Sequence, residues 1–311
     1  MLRKIPILRK IKRKIRLLNN RRMRKISPNK YENKISKIYK KRIGKNINWN
    51  NPTTYTEKMQ WEKLYDNNPL KAELSDKYLV REWVKEKIGE KYLIDIYGVW
   101  DSFSEIDFKK LPKSFVLKTN HGSGTIYIVK DKNKIDYNEV KNLFDDWMQM
   151  DYAFCTGFEL HYSKIRRRII AEKYIETDND DLQDYKFLCF DGKPYFCWVD
   201  VGRFSNHKRN VYDLDWNLQR WNQSEYGNTD ETIPKPNNFS EMIKIAEKLC
   251  QGFSHVRVDL YNVKGKIYFG EMTFTNGSGF DKIVPDEYDL ILGNMWKLDM
   301  RKENIFGDKN E

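Results

Sequence analysis

His255-Val256-Arg257-Val258-Asp259-Leu260-Tyr261 and Lys266-Ile267-Tyr268-Phe269-Gly270-Glu271-Met272-Thr273 are two alternating runs separated by Asn262-Val263-Lys264-Gly265, a pattern that predicts a β-hairpin. Successive strand residues face opposite ways, so Arg257 and Asp259 share one face, as do Glu271 and Thr273 on the partner. If the strands pair, two carboxylates converge beside an arginine. Hard oxygen donors of this kind suit Mg²⁺, which is normally held by one or two carboxylates together with substrate phosphates. A cross-strand salt bridge with a surface aspartate is the competing reading.

Outward from this hairpin, residues 240–250 predict a helix. Before it, Asp184-Tyr185-Lys186-Phe187-Leu188-Cys189-Phe190, the turn Asp191-Gly192 and the run 195–201 predict a second hairpin. A polar loop follows that strand and carries Arg203, Asn206, His207, Lys208 and Arg209. Such a loop can neutralise a terminal phosphate or an acidic substrate, or it can simply be solvated. Further upstream, Arg168-Ile169-Ile170-Ala171-Glu172-Lys173-Tyr174-Ile175 predicts a buried strand, preceded by a helix over 137–147. Ser114-Phe115-Val116-Leu117-Lys118 predicts a strand that enters the loop Asn120-His121-Gly122-Ser123-Gly124 and resumes at Thr125. Strand, glycine loop and strand form a hairpin, which differs from the strand-to-helix setting of a Walker or Rossmann loop. The loop's backbone N–H groups beside Lys118 can hold a polyphosphate, although most glycine loops are only turns. Residues 56–61 and 75–84 predict two helices, the second capped by Ser75-Asp76-Lys77. The body therefore reads as α+β with antiparallel hairpins dominating.

The chain has 311 residues and is 40% hydrophobic, enough for a substantial core, and its 57 Lys/Arg against 45 Asp/Glu give a net charge of +12. Residues 1–46 hold 19 of the basic residues and a single acid, Glu32, so they carry +18; the other 265 residues carry 38 bases against 44 acids, or −6. In that leader Ile5, Leu8, Ile11, Ile15 and Leu18 recur at helical spacing among lysines and arginines. A helix of this kind suits an anionic membrane surface; a nucleic-acid arm and a helix docked on the body are the alternatives. No nucleic-acid-binding fold follows it, which speaks against a nucleic-acid partner. No run is long and apolar enough to span a bilayer, and the leader lacks the apolar core of a signal peptide. Cys155, Cys189, Cys197 and Cys250 show no metal-finger or disulfide spacing and read as reduced cytosolic thiols. The 14% aromatic content fits core-filling strands better than a stacking surface.

Taken in order, Asp76-Lys77, Phe115-Val116-Leu117-Lys118 with its glycine loop, Ile170 to Ile175, and Arg257-Val258-Asp259 with Glu271 resemble the ATP-grasp superfamily. The stretches 111–124, 184–187, 203–209 and 269–275 narrow the resemblance to the TupA-like ATP-grasp family, over about residues 48 to 297. The resemblance implies two subdomains whose antiparallel sheets clasp ATP. The boundaries expected are 1–46 for the leader, 47–112 for a helical region, 113–175 for the small subdomain and 176–311 for the C-terminal one. It implies that Lys77 and Lys118 reach the phosphates, that Asn120, His121, Gly122, Ser123 and Gly124 close over them, and that Glu172, Lys173 and Ile175 hold adenine. Asp184 is implied as the ribose acid, with Glu176 and Asp181 as alternatives, and Lys186 shares its strand face. Arg257 is implied to bind phosphate, and Asp259 and Glu271 to bind Mg²⁺, with Thr273 where many relatives carry Asn. Arg203, Lys208 and Arg209 are expected to hold the substrate carboxylate or its acyl phosphate.

The family is associated with teichuronopeptide and surface-polysaccharide synthesis. It implies ligation of a uronic-acid carboxylate, on an acidic saccharide or lipid-linked precursor, to an amino acid or other amine. The leader, through residues 2–25, then suits the inner leaflet of the cytoplasmic membrane, where each nearby Lys or Arg contributes about 1 kcal/mol of attraction. Two rivals remain: a glycosyltransferase using the triplet Asp213-Leu214-Asp215, and a non-catalytic glycan- or membrane-binding protein.

Overall fold

The computed structural model describes residues 6–177, 182–202 and 207–300, with side chains from residue 11 onward. The basic segment forms two helices, α1 (Pro6–Arg24) and α2 (Tyr31–Ile43), and only the second is fully built into the body. Tyr31, Ile35, Tyr39 and Ile43 follow helical spacing and are buried against Leu64, Phe158 and Phe280. In α1, Leu17 is buried and Asn20 exchanges two bonds with the Asp151 backbone, at 2.6 and 3.1 Å, while Arg13 pairs with Asp146. Ile11, Ile15 and Leu18 stay exposed at 47%, 51% and 62%. The leader therefore carries a docked α1 that still shows an apolar stripe, and the segment 1–46 also contains α2, whose apolar face is core.

Helices α3 (Tyr55–Tyr65), α4 (Pro69–Ser75) and α5 (Val80–Lys87) follow. The start of α3 is fixed by a capping box: the Thr54 hydroxyl accepts from the Glu57 N–H, and the Glu57 carboxylate accepts from the Thr54 N–H. The small sheet contains β1 (Ile96–Trp100), β2 (Phe115–Thr119), β3 (Ile126–Val129) and β4 (Ile169–Lys173) in the order β1-β4-β2-β3, all antiparallel. Sequence reading treats 47–112 as helical, yet β1 pairs with β4, so this sheet draws a strand from before residue 113. Helix α6 (Tyr137–Gln149) presses Val140, Phe144 and Trp147 onto Phe115, Leu117, Ile169 and Ala171 on one face of the sheet. Val116, Lys118 and Glu172 occupy the other face.

The large sheet contains β5 (Asp184–Phe190), β6 (Lys193–Val201), β7 (Lys208–Asp213), β9 (His255–Val263) and β10 (Lys266–Thr273), in the order β10-β9-β5-β6-β7. Tyr185, Phe187, Cys189, Val199, Val256, Val258 and Leu260 on one face meet Phe239, Met242, Ile245 and Leu249 of α7 (Phe239–Leu249). Each such large side chain contributes roughly 1.5–3 kcal/mol by leaving water. A two-stranded sheet of β8 (Asn222–Gln223) and β11 (Ile283–Val284) precedes α8 (Glu287–Met295), which packs on α3. Cys189, Cys197 and Cys250 lie in the apolar core and all four cysteines are free thiols. Among the described residues no helix is long and apolar enough to cross a membrane.

Candidate active site

The second face of the large sheet is charged, and the register explains how. Glu271 pairs with Asp259, Thr273 with Arg257, and Lys186 with Asp259; on the other side Asp184 pairs with Asp200, and Asp200 with Arg209. Directly opposed residues project to the same side, so these groups form one continuous layer. A bulge sets the position of Glu271. Phe269 opposes Leu260 on the apolar face, and two residues later Glu271 opposes Asp259, only one residue on, so the extra residue Gly270 turns Glu271 to the charged face. A Cβ at Gly270 would stand 3.0 Å from the Asp259 carbonyl oxygen, so glycine lets the bulge close.

Within the layer, Arg257 Nε and Nη2 donate to the two Asp259 oxygens at 2.7 Å, and Nη2 also donates to Glu271 Oε1 at 3.0 Å and Thr273 Oγ1 at 3.1 Å. Lys186 Nζ donates to Asp259 Oδ2 at 2.7 Å and bonds Asp184, with Asp200 at 3.8 Å. Burial works to lower the Lys186 pKa, but Asp184 and Asp259 outweigh it and hold the ammonium above its ordinary value. Burial opposes charge on Asp200 as well; the Arg209 fork, bonded at 2.5 and 2.8 Å, brings its carboxyl well below the usual range. The Arg209 guanidinium also lies over the Tyr226 ring at 4.0 Å.

The N-terminal half of the chain brings Lys77 to this layer. Its Nζ donates to the Gly122 carbonyl at 2.7 Å and lies 3.6 Å from Glu271 Oε2, while its N–H donates to the Asn120 carbonyl at 3.1 Å. Burial draws the Lys77 pKa down, with Glu271 opposing and Lys118 adding to the fall. Lys118 Nζ sits 2.5 Å from Glu172 Oε2 on the small sheet. The glycine loop is fixed from below: Asn120 donates to Asp76 at 2.7 Å and to the Arg166 carbonyl at 2.8 Å, and accepts from the Arg168 N–H at 2.7 Å. Asn120 is thus an organiser whose side chain is already committed. Gly122 lies so close to the Tyr152 ring that a Cβ would come within 2.5 Å of it.

Two cavities follow this arrangement. One, of about 850 Å³, is bordered by Lys173, Ile175, Glu176, Ile94 and Tyr268. The other, of about 490 Å³, is lined by Lys77, Gly122, Ser123, Lys186, Arg257, Glu271 and Thr273 and extends to His207 and Arg209. The sequence-derived site residues thus divide into several groups. Asp184 is 2% exposed, spent on Lys186, and lines neither cavity, whereas Glu176 borders the larger one. His121 also lines neither, and burial pushes its pKa down to about 4. Lys208 alternates to the opposite side from Arg209 and approaches Gly227. Arg203 lies outside the described residues, as does Asp181. The Asp213 triplet is a turn: Asp213 Oδ1 accepts from the N–H groups of Asp215 and Asn217 at 3.0 and 2.7 Å. Sequence reading misses Asp200, Tyr226 and Glu159, all on the smaller cavity. For Asp200 the signal was present, as an acid within the apolar run Trp198-Val199-Asp200-Val201.

No curated protein matches the chain. Among solved structures it is similar to the D-alanine–D-alanine ligase of Bacillus anthracis, in complex with ATP, at 19% identity over 65% of this chain and 55% of that one, with a TM-score of 0.39. It is also similar to the L-amino acid ligase of Bacillus licheniformis, at 15% identity over 71% and 49% with a TM-score of 0.40, and to the D-alanine–D-alanine ligase of Helicobacter pylori, at 15% over 71% and 61% with a TM-score of 0.39. The chain spans roughly half to three-fifths of the length of these enzymes. The TupA-like ATP-grasp family model matches residues 57–297, which contain both sheets and every charged group of the layer, and the chain belongs to that family.

Proposed function

We propose that the protein is an ATP-dependent ligase that joins a carboxylate to an amine through an acyl phosphate. The observation that carries this reading is the meeting of Lys77 and the glycine loop with Arg257 and Glu271 around one cavity, with Asp259 bonded behind Arg257. A carboxylate oxygen attacks the γ-phosphorus of ATP, the bond to ADP breaks, and the amine nitrogen then displaces phosphate from the acyl carbon. The protein's task is positioning and charge neutralisation. Lys77, Lys118, Lys186 and Arg257 supply positive charge toward the phosphates. Lys173 and Ile175 border the larger cavity, which takes adenine, Glu172 precedes them on β4, and Glu176 takes the ribose role first given to Asp184. Arg209, held rigid by Asp200, receives the substrate carboxylate together with Arg203.

The donor set fits Mg²⁺. Asp259 and Glu271 are register partners, and the Thr273 hydroxyl, 3.1 Å from Glu271 Oε1, adds a neutral oxygen to the two carboxylates. Asp259, Glu271 and Thr273 would hold the ion, which would supply charge neutralisation to the phosphates. In the structure described, Arg257, Lys186 and Lys77 balance these acids.

The substrate we favour is a uronic-acid carboxylate on an acidic saccharide or lipid-linked precursor, with an amino acid as amine, in envelope polysaccharide synthesis at the cytoplasmic face of the membrane. The exposed stripe Ile11, Ile15 and Leu18 among Lys12, Lys14 and Arg16 supports peripheral contact with anionic lipid. The test supplies ATP, Mg²⁺, D-glucuronic or D-galacturonic acid and hydroxylamine, then measures ADP and hydroxamate. Both products should rise together. Turnover of a nucleotide sugar without ATP consumption would instead support a transferase.

A further inference from the structure

Glu159 is a buried acid with no part in the phosphate chemistry above. It lines the same cavity as Lys77, Arg257 and Glu271, and it is 3% exposed. Its carboxylate is held by hydroxyls: Thr275 Oγ1 donates to Oε1 and Thr156 Oγ1 donates to Oε2, both at 2.5 Å. Each oxygen keeps further acceptor capacity. Burial raises the carboxyl's pKa, and the charge of Lys63 and the hydroxyls of Thr156, Thr275 and Ser278 oppose that rise. Lys63 is itself committed, however, donating to the Ser278 carbonyl at 2.7 Å and to Ser278 Oγ at 3.2 Å and lying 4.2 Å from the Phe280 ring centre. Tyr152 and Tyr162 line the cavity as well, with their rings edge to face at 4.8 Å.

A carboxylate fixed by neutral donors, beside aromatic rings and facing a cavity, is suited to receive a cation. The other walls carry Lys77, Lys186, Arg209 and Arg257, which suit anions; of the acids among them Asp200 is bonded to Arg209, Glu271 to Arg257 and Glu225 to Arg42, and Asp281 accepts from Gln223.

We infer that Glu159 binds the ammonium group of the amine co-substrate and takes its proton before attack, an inference that rests on the ligase reading above. The ammonium transfers one proton to the Glu159 carboxylate, which frees the nitrogen lone pair. That pair forms the C–N bond at the acyl-phosphate carbon, the C–O bond to phosphate breaks, and the phosphate leaves with the electron pair. The second nitrogen proton goes to the departing phosphate, and Glu159 returns its own proton to solvent. Hydroxylamine is mostly uncharged near neutral pH and needs neither service.

The experiment uses the full chain with ATP, Mg²⁺ and D-glucuronic or D-galacturonic acid. ADP release is measured with each of the common amino acids and, separately, with hydroxylamine. For the amino acid that the wild type uses best, the readout is its kcat/KM divided by that for hydroxylamine. In Glu159→Gln this ratio should fall at least about tenfold, as expected for loss of a charged hydrogen bond. Glu159→Asp, which keeps the charge, should lie between the two; it also gives the ratio if Glu159→Gln does not fold. An unchanged ratio in the folded variants overturns the inference while leaving the ligase reading intact. A wild type that gives neither amide-linked nor hydroxylamine-linked ADP release overturns the ligase reading and this inference with it.

Discussion

The two faces of the five-stranded sheet come from the same strands in alternate residues, yet they answer to different demands. Phe187, Val258 and Met272 enter the apolar core against α7, where shape and volume decide. Lys186, Asp259 and Glu271, their immediate neighbours, enter a layer in which every charge is held by another. A sheet can stabilise the fold on one side and carry expensive buried charge on the other only because the side-chain period is two.

The comparison breaks if neighbouring substitutions behave alike. The largest effect is expected for Glu271→Gln, which should lower ATP-dependent turnover by about 100-fold or more, with its melting temperature close to wild type. Phe187→Ala should do the reverse: it should lose about 3–5 kcal/mol of stability in denaturant titration, with kcat/KM per folded molecule retained.

Much of this contrast was legible in the sequence. The alternation in 255–261 and 266–273 gives the hairpin and places Arg257 with Asp259, and the structure pairs them as expected with Thr273 and Glu271. The bulge was not read from the sequence: Gly270 inside the strand pattern is compatible with one, but the extra residue is defined only by pairing with β9. Asp184 received the ribose role from the family resemblance, with Glu176 and Asp181 as alternatives; the register with Asp200 and the reach of Lys186 turn it into the layer. Glu159 is beyond local pattern altogether, since it is joined to Thr275 across 116 residues of sequence. β1 escaped because its half-buried residues lack a clean alternation.

The basic leader offers a smaller version of the same contrast. In α2 the apolar face is spent on the core, and in α1 most of it is not. Ile35→Ala should therefore cost about 2–5 kcal/mol. Ile15→Asn should change stability by less than about 0.5 kcal/mol, yet weaken sedimentation with phosphatidylglycerol vesicles. Equal stability losses for the two would mean that α1 is as deeply integrated as α2.

The smallest effect concerns the far end of the charged face. His255 lies two residues from Arg257 and is neutral, because burial lowers its pKa to about 3. The unfolded chain takes up this proton near the ordinary histidine value and the folded chain only near pH 3. This group therefore stabilises less as pH falls through that window. Its imidazole resonances should stay unshifted from neutral pH to about pH 4. A shift near pH 6.5 would extend the charged layer past Arg257.

The central claim is that the carboxylate is activated by phosphoryl transfer on the charged face. It is tested most directly with uronic acid labelled with ¹⁸O in its carboxylate, turned over with ATP and hydroxylamine. An acyl phosphate requires one labelled oxygen to appear in the released inorganic phosphate. Unlabelled phosphate, or label recovered in AMP, would contradict the account.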